Sequence, residues 1–463
     1  MVFDSTAFMI FFAAFFAFYH LLYRWLNAQN VLILAGSYLF YGWWDWRFLG
    51  LLTLSAGVDY IAGLAMSTLD GARQRKLILM LSLATNLIIL FTFKYFDFFA
   101  TSLQAALSSL GIHASLPLLN VVLPVGISFY TFQSMAYTID VYRRDIPAER
   151  NPLVYFCFVS FFPQLVAGPI ERAGHMIGQM RAPRELTADK VKEAVWLLSW
   201  GYFLKEVIAD TAATFADEAF RVDQTSGWMT ILGTLAFSLQ IYCDFNAYSC
   251  IARGTAKLLG FELVWNFRLP YFATSIQDFW RRWHISLSSW LRDYLYISLG
   301  GNRKGPRRTY VNLILTMLLG GLWHGAAWNF VLWGLLHGFA LAVNRAFTAS
   351  GRSMHSIPGW MLTMMIVLLG WLLFRCTSWE MLKAMTLALG DLAWTERHGE
   401  ILSSLIILTG PVALIEAWQR WRDDLLAPLR LDVWRLAALN AVLLTASYAM
   451  FDRFHYAFIY FQF

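Results

Sequence analysis

Charged residues are scarce in this sequence. Asp, Glu, Lys and Arg make up 14% of its 463 residues, whereas 58% are hydrophobic. Soluble domains contain about 25% charged residues, so the composition excludes the series of soluble domains that the length alone would suggest. It predicts instead an all-α, polytopic integral membrane protein. The remaining polar residues suffice for loops, so no large domain outside the membrane is expected.

Cysteine is also rare. The four cysteines, Cys157, Cys243, Cys250 and Cys376, lie in apolar surroundings, and no two of them have C-x-x-C spacing. Free cysteines are among the residues most often found in protein cores, and the spacings of structural zinc sites are missing. We interpret all four as packing residues, with disulfide or zinc use as the alternative.

Several signatures of soluble enzymes are missing. No pair of His, Asp or Glu has the spacing of metal ligands on one helix face, and no nucleophile elbow with a catalytic serine occurs. Residues 300–305 (GGNRKG) lack the Lys-Ser/Thr ending of a phosphate-binding loop. We therefore expect no metal site and no serine nucleophile, and we interpret these residues as a turn that carries Arg303 and Lys304 to the membrane surface.

Long charge-free runs mark the membrane spans, because a charge at the bilayer centre costs a few kcal/mol. With about 20 apolar residues per crossing, the pattern predicts roughly 10–12 transmembrane helices plus re-entrant and interfacial helices. The first run follows Asp4 without a basic cluster or a small-residue cleavage pattern, so we interpret it as a span and not as a removable signal. The runs are residues 5–23, 77–93, 98–139, 151–170, 224–243, 309–344, 353–374, 401–415 and 436–451, with two further helical runs at 31–44 and 48–66.

The distribution of Lys and Arg predicts the orientation, since short basic loops stay on the cytoplasmic side. Residues 73–76 contain three basic residues, residues 98–120 contain none, and residues 143–150 contain three again. These loops are therefore predicted to be cytoplasmic, periplasmic and cytoplasmic in turn. Counting back places the N-terminus in the periplasm.

Residues 151–170 do not fit a complete crossing, which would place the next five basic residues in the periplasm. Pro163, Gly168 and Pro169 interrupt the helix, and non-helical backbone within a membrane is tolerated where it lines a cavity or is buried in protein. We therefore predict a re-entrant hairpin. The acidic loop at residues 210–223 then falls outside.

The segment of residues 244–308 is unusually basic. It contains ten Lys or Arg and four Asp or Glu, and its net charge of +6 equals that of the whole chain. The orientation makes it cytoplasmic or interfacial. There it could contact anionic membrane lipids or a soluble polyanion such as a nucleotide-bearing coenzyme. A nucleic-acid partner is not expected for a membrane-embedded chain.

His284 is the first candidate catalytic residue. Apolar residues recur at helical spacing through residues 280–295, which predicts an amphipathic helix lying in the membrane interface. His284 falls at the border between the two faces of that helix, where partial desolvation could tune its pKa. The alternative is a histidine that only anchors the helix among the lipid headgroups.

His324 is the second candidate. The 15 residues from Tyr310 to His324 make roughly 22 Å of helix, less than a hydrocarbon core of about 30 Å, so His324 is expected inside the membrane. Gly320, Gly321 and Gly325 permit a close backbone approach or a helix break. An ionisable residue at such depth is a functional candidate. The alternative is a neutral histidine that is hydrogen-bonded within the bundle.

Three further polar residues are weaker candidates. His337 lies in another apolar helix without a polar companion, so we interpret it as a packing residue. Asp244 and Asn246, in YCDFNAYS, come at the end of an apolar run. They could orient a histidine or cap a helix, and capping is the simpler interpretation.

Together these features indicate acyl transfer from a coenzyme thioester to a hydroxyl group. The hydroxyl must lose its proton as it attacks the thioester, and a neutral imidazole suits that step near pH 7, so no protein nucleophile is required. The coenzyme phosphates would explain the basic segment, although lipid contact is the alternative for its last four basic residues. The candidate phosphate-binding residues are Arg281, Arg282, Arg303, Lys304, Arg307 and Arg308.

Five stretches of the sequence carry a family resemblance. The longest are DFWRRWHISLSSWLRDYLYISLGGNR at residues 278–303 and LTMLLGGLWHGAAWNFVLWGLLHG at residues 315–338. The others are PVGISFYTFQSMAYTIDVYR from Pro124, FFPQLVAGPIER from Phe161 and FIYFQF from Phe458. In this order they resemble the bacterial alginate O-acetylase branch of the membrane-bound O-acyltransferase (MBOAT) family, over nearly the whole chain.

The resemblance implies an architecture and two catalytic residues. Family members are helical membrane enzymes whose helices surround a central tunnel or funnel, which implies a single domain over residues 1–463. The near-invariant membrane histidine of the family matches His324, on a short helix at residues 309–326, and the second family histidine matches His284. The resemblance thus implies His324 as the general base and His284 as a residue that assists proton transfer or positioning.

Relatives in this branch acetylate exported polysaccharides such as alginate, cellulose or peptidoglycan. The resemblance implies that the chain lies in a Gram-negative inner membrane, takes acetyl from cytoplasmic acetyl-CoA without a permanently bound cofactor, and works with a periplasmic O-acetyltransferase. One residue departs from the family pattern. Where relatives commonly read DFSGYSD this chain reads DFNAYSC, so Cys250 replaces the carboxylate of the last Asp.

Two alternative functions stay open at this point. A transporter or flippase could line its substrate path with the same midplane histidine and broken helices, and thioester cleavage would discriminate an enzyme from it. Within the enzyme class, the chain could transfer another acyl group, such as D-alanyl from a carrier protein to teichoic acids. That activity would need a docking surface for the carrier protein.

Overall fold

The computed structural model describes residues 1–166, 168–451, 453 and 456–459, without the side chain of Gln224. This part of the chain forms helices and contains no β-strand, which confirms the all-α class. The helices are α1 (Thr6–Leu21), α2 (Leu26–Asp45), α3 (Phe48–Ser67), α4 (Ala72–Leu90), α5 (Phe96–Ser109), α6 (Ile127–Arg143), α7 (Pro152–Ser160), α8 (Phe162–Leu165), α9 (Ala173–Arg181), α10 (Ala188–Tyr202), α11 (Asp210–Ala219), α12 (Gly227–Leu258), α13 (Ile276–Arg282), α14 (Ile285–Trp290), α15 (Gly305–His324), α16 (Trp328–Ala349), α17 (Ser356–Arg375), α18 (Trp379–Ala388), α19 (Glu396–Arg422) and α20 (Val433–Met450), with π-helical turns at Phe91–Tyr95, Phe203–Ala209 and Leu291–Tyr296.

Within the described residues, six helical segments are long and apolar enough to cross a membrane. They are α3, the continuous helix formed by α4 and α5, and the helices α16, α17, α19 and α20. This confirms a multi-pass membrane protein. The side of the membrane on which each loop lies stays a prediction. All four cysteines are buried and free, as their apolar surroundings indicate.

The chain divides into two compact units, one of Met1–Leu186 with Leu258–Leu263 and one of Thr187–Lys257 with Val264–Phe463. In the first unit, α3 packs against α4 and α6. Asp59, which interrupts the apolar run of α3, is fully buried there. Its carboxylate accepts hydrogen bonds from the Ser82 hydroxyl and from Asn86 Nδ2, the latter at 2.9 Å. The neighbouring helix thus supplies the polar partners that a carboxylate inside a membrane span needs.

The predicted interruption near Pro163 is confirmed. α7 ends at Ser160, α8 covers only four residues, and the next described helix begins at Ala173, while Ala167 lies outside the described residues. The backbone here is tightly packed, because a Cβ atom on Gly168 would lie 2.4 Å from Gln164 Cα. Burial in protein is the condition under which non-helical backbone can lie within a membrane. The re-entrant depth itself stays a prediction.

Two interpretations of the second unit were wrong. Asp244 and Asn246 do not end or cap a helix, because α12 continues to Leu258 and buries most of residues 244–258. The acidic residues 210–223 are not a simple loop, because α11 begins at Asp210. That carboxylate is buried and paired with Lys205 at 2.8 Å. In both places a carboxylate, Asp210 or Asp244, has a buried lysine as its partner.

Helices α15 and α16 pack with their backbones almost in contact. A Cβ atom on Gly321 would lie 2.1 Å from the carbonyl oxygen of Phe330, and one on Gly334 would lie 2.4 Å from that of Met317. Real Cβ atoms do not approach so closely, so only glycine fits at these positions. Small residues of this kind let transmembrane helices approach each other. The closeness of this pair fixes where both helices end.

The packing predicts the effect of one added methyl group. Gly334→Ala should lower the unfolding free energy by about 1–3 kcal/mol, the usual cost of overpacking. Gly410→Ala in α19 is the matched control, because a Cβ atom there would meet nothing within 4 Å. Thermal unfolding of the purified protein in detergent measures both. Equal midpoints for the two variants would contradict the packing.

Candidate functional site

His324 is the last residue of α15. The chain then leaves the helix at Gly325, whose φ of −161° is extended. A Cβ atom on Gly325 would lie 2.1 Å from the ring of Phe330, so the first turn of α16 packs directly against the end of α15. His324 is 5% exposed. The predicted roles of Gly321 and Gly325 in close approach and helix ending are confirmed.

The prediction of one amphipathic helix through residues 280–295 is wrong. α13 ends at Arg282 and α14 begins at Ile285, and His284 lies between them with φ of 42° in the left-handed region. A histidine is one of the few residues other than glycine that adopt this conformation without large strain. His284 is 0% exposed, so it does not lie half-desolvated on an interfacial helix.

Asn266 holds the turn at His284 in place, and the sequence analysis missed this residue. Its carbonyl oxygen accepts a hydrogen bond from Ile285 N at 2.8 Å. Its side chain donates to Ser249 Oγ at 3.0 Å and accepts from Ser286 Oγ at 2.6 Å. These bonds join α12, the loop of Asn266 and the start of α14 around one fully buried amide. Such networks rigidify a site when every member is satisfied.

The rings of His284 and His324 lie close together, with centroids 6.4 Å apart. Aromatic rings surround the pair at centroid distances of 4.6–5.8 Å. Burial lowers the pKa of His284, which lies outside the six candidate spans, to about 3, so its imidazole is neutral at pH 7. The surrounding rings are Phe245 and Trp323 beside His284, and Trp323, Trp333 and Phe374 beside His324.

His337 lies apart from this pair, in α16. Its ring is buried, with its centroid 5.2 Å from that of Trp280 and 4.7 Å from that of Trp333. A Cβ atom on Gly370 would lie 2.7 Å from its Nε2. These contacts fit the interpretation of His337 as a packing residue.

A cavity of about 430 Å³ has a lining that begins one residue after His284 and includes neither His284 nor His324. This volume is within the usual range of small-molecule sites, about 300–1,000 Å³. Ile285, which follows His284 directly, lines the cavity, and so does Trp280, whose ring centroid is 5.5 Å from that of Trp333. The remaining lining residues are Gln277, Arg281, Ser288, Ser289, Leu291, Arg292, Tyr296, Asn302, Leu313, Thr316, Met317, Leu341, Asn344 and Arg345.

Only Arg281 of the six candidate phosphate-binding residues lines this cavity. Arg282 is paired with Asp278 at 2.8 Å. The other four are exposed, on the predicted turn and at the start of α15: Arg303, Lys304, Arg307 and Arg308. The cavity instead contains Arg292 and Arg345, which the sequence analysis did not select.

Asp244 and Asn246 have different surroundings on α12. Asp244 is paired with Lys205 at 3.2 Å and accepts a hydrogen bond from Ile459 N at 2.7 Å. Asn246 Nδ2 donates to Tyr242 Oη at 3.4 Å. An orienting role of these two residues toward a histidine stays a prediction. Phe245, between them in sequence, is the residue that contacts His284.

The sequence is similar to those of known acyltransferases. The sequence model described as "MBOAT, membrane-bound O-acyltransferase family" matches residues 39–383. The probable alginate O-acetylase AlgI of Azotobacter vinelandii is 42% identical over 417 residues, which cover 88% of this chain and 82% of the relative. The peptidoglycan O-acetyltransferase of Helicobacter pylori is 38% identical over 383 residues, which cover 75% of this chain and 71% of the relative.

A more distant relative is the teichoic acid D-alanyltransferase of Bacillus subtilis, which is 26% identical over 253 residues, or 52% of this chain and 63% of the relative. The matches confirm the resemblance to the alginate O-acetylase branch. The family match includes both His284 and His324 and all the residues that line the cavity. The chain therefore belongs to the membrane-bound O-acyltransferase family and is an O-acyltransferase.

Proposed function

We propose that this O-acyltransferase takes acetyl from acetyl-CoA on the cytoplasmic side of a Gram-negative inner membrane and passes it outward for O-acetylation of an exported polysaccharide. A periplasmic O-acetyltransferase is the proposed partner. The observation that carries the proposal is the buried histidine pair, with 6.4 Å between ring centroids, together with a cavity that is lined by Ile285, the residue after His284, and by three arginines. The names of the relatives, alginate O-acetylase and peptidoglycan O-acetyltransferase, support acetyl as the group and a polysaccharide as the acceptor class.

In this proposal His324 is the general base. The acceptor hydroxyl attacks the carbonyl carbon of the thioester while the neutral imidazole of His324 takes the hydroxyl proton. The C–S bond then breaks, and the leaving thiolate receives the proton from the imidazolium. An ester C–O bond replaces the thioester and His324 returns to its neutral form. His284 orients the reacting groups or relays the proton.

The aromatic rings around the pair have a chemical consequence. They leave little room for water beside the histidines, and exclusion of water suppresses hydrolysis of a reactive acyl donor. The family match extends over residues of both compact units, so we propose that residues 1–463 act as one catalytic domain.

The cavity is the proposed donor site. Arg281, Arg292 and Arg345 would bind the phosphates of the coenzyme, since Arg is suited to charge-assisted hydrogen bonds with phosphate. The acyl end would extend past Trp280 and Ile285 toward the histidines. Arg303, Lys304, Arg307 and Arg308, which are exposed, would add only a screened long-range attraction.

The role of His324 predicts a large catalytic defect. His324→Ala should lower the rate of acetyl transfer by about 10²–10⁴-fold, the usual contribution of a positioned base, while the protein still inserts and folds. Release of free coenzyme thiol by purified protein measures the rate. His337→Phe keeps an aromatic ring between Trp280 and Trp333 and should retain most of the activity. A wild-type rate in folded His324→Ala would remove His324 from the mechanism.

The donor cavity predicts a defect in half-saturation. Replacing Arg281, Arg292 and Arg345 together by Gln should raise the acetyl-CoA concentration for half-maximal activity by about tenfold or more, since one hydrogen bond to a charged group contributes about 1.5–3 kcal/mol. The maximal rate should change less, because these residues hold the donor equally in the ground and transition states. Steady-state kinetics of the purified protein decide this.

The matched variant for that experiment replaces Arg303, Lys304, Arg307 and Arg308 by Gln. We expect a smaller rise in half-saturation, one that disappears at high salt, because exposed charges are screened over about 8 Å at physiological ionic strength. A larger rise than in the cavity variant would place the donor phosphates at the turn. Unchanged half-saturation in both variants would place the donor site elsewhere.

The proposed orientation predicts a labelling pattern. Asp223→Cys and Arg307→Cys, both at exposed positions, are made in a background without the four native cysteines. In intact spheroplasts a membrane-impermeant maleimide should label the first site only. The acidic segment of residues 210–223 is predicted to be periplasmic, and the basic turn before α15 is predicted to be cytoplasmic. Labelling of Arg307→Cys alone would reverse the orientation and the side of donor entry.

A further inference from the structure

Lys205 is buried in the second unit together with two carboxylates. It lies in the π-helical turn Phe203–Ala209 and is 1% exposed. Its Nζ atom is 2.8 Å from Asp210 Oδ1 and 3.2 Å from Asp244 Oδ1. π-Helical turns within α-helices occur frequently at functional sites. The acyl-transfer steps described above do not use this cluster.

The cluster binds the backbone of residues 456–459, which we call the docked segment. Lys205 Nζ donates to the carbonyl oxygen of Tyr456 at 2.8 Å, and the amide of Ile459 donates to Asp244 Oδ2 at 2.7 Å. Phe458 and Ile459 are each 1% exposed. Buried backbone groups outside regular secondary structure need polar partners, and here buried charged side chains supply them.

Phe458 connects the docked segment to the histidine pair. Its ring stacks on Tyr248 with centroids 4.1 Å apart and lies 5.9 Å from Phe245. The rings of Phe245 and His284 in turn pack nearly perpendicular to each other, with centroids 4.6 Å apart. Asp244, Phe245 and Tyr248 belong to one stretch of α12. The same stretch therefore holds the docked segment and packs against the buried histidine.

We propose that Lys205 and Asp244 are positioning residues for acyl transfer: they seat the docked segment, and Phe458 and Phe245 then hold the ring of His284 in its working orientation. This inference rests on the proposed role of His284. Stability alone is a poor reason for such a cluster, because well-packed apolar residues often replace a buried ion pair without loss of stability. A specific placement of the docked segment explains why charged groups lie here.

The test combines hydrogen exchange with kinetics. In Lys205→Met and in Asp244→Asn, the amides of residues 457–459 should exchange faster by mass spectrometry. The turnover rate should fall by about 10²-fold, the effect of a displacement of about 1 Å at a reacting group. Half-saturation by acetyl-CoA should stay near wild type, because the cavity arginines are untouched. Lys205→Arg, which keeps the positive charge, should retain much more of the wild-type turnover than Lys205→Met.

Lys257→Met is the matched control. It also removes a buried lysine from an ion pair, with Glu193 at 2.8 Å, but it leaves the cluster of Lys205 intact. Exchange of residues 457–459 and the turnover rate should both stay near wild type. If Lys205→Met does not fold, Asp244→Asn carries the same test, and a chain ending at residue 455, which lacks the docked segment, repeats its kinetic part and should show the same loss of turnover.

Two results would overturn the proposal. Slow exchange of residues 457–459 in Asp244→Asn would show that the cluster does not seat the docked segment. Faster exchange with wild-type turnover would show that the segment does not position His284. Failure of the proposed function gives a different result, since wild-type protein would then release no thiol from acetyl-CoA while the exchange experiment still reports on docking.

Discussion

The close approach of α15 and α16 determines the geometry around the two histidines. Because Gly321 and Gly334 bring backbone atoms into contact, the chain has no freedom in how it reverses between the helices. α15 must end at His324, and the ring of Phe330 fills the space beside Gly325. The imidazole is thereby held on a rigid support. Catalytic groups need such support, since a displacement of about 1 Å can cost about 10²-fold in rate.

One constraint applies to the buried polar groups of both units. Neither a membrane interior nor a protein interior supplies water, so each buried carboxylate, ammonium or amide must find its partner in the protein. Asp59 finds it on a neighbouring helix, Lys205 finds two carboxylates, and Asn266 connects three segments. Each of these contacts fixes the position of one segment relative to another within its unit. The histidine pair depends on the last two.

Local features of the candidate site could be predicted from the sequence, and long-range features could not. The helix end at His324 follows from its flanking glycines, which are neighbours in sequence. The prediction for the environment of His284 was wrong. Two short helices joined through one left-handed residue have the same apolar periodicity in sequence as one continuous helix. Its stabilising partner Asn266 is joined to it only by tertiary hydrogen bonds.

For the charged residues too, the sequence predicted local features and not long-range ones. Basic residues that cluster in sequence, such as Arg303 and Arg307, are exposed, whereas the cavity gathers Arg281, Arg292 and Arg345 from different helices. Charge density along the chain reports the membrane surface, because loop charges control orientation. It does not report which guanidinium groups converge after folding. The pairing of Lys205 with Asp244 was invisible in sequence for the same reason.

A structure of the protein with an acetyl-CoA analogue, in which a methylene group replaces the sulfur of the thioester, tests the central claim most directly. The account predicts the acyl carbonyl carbon beside the rings of His284 and His324 and the phosphates against Arg281, Arg292 and Arg345. An analogue bound with its carbonyl carbon away from His324, or with its phosphates outside the cavity, would contradict the account.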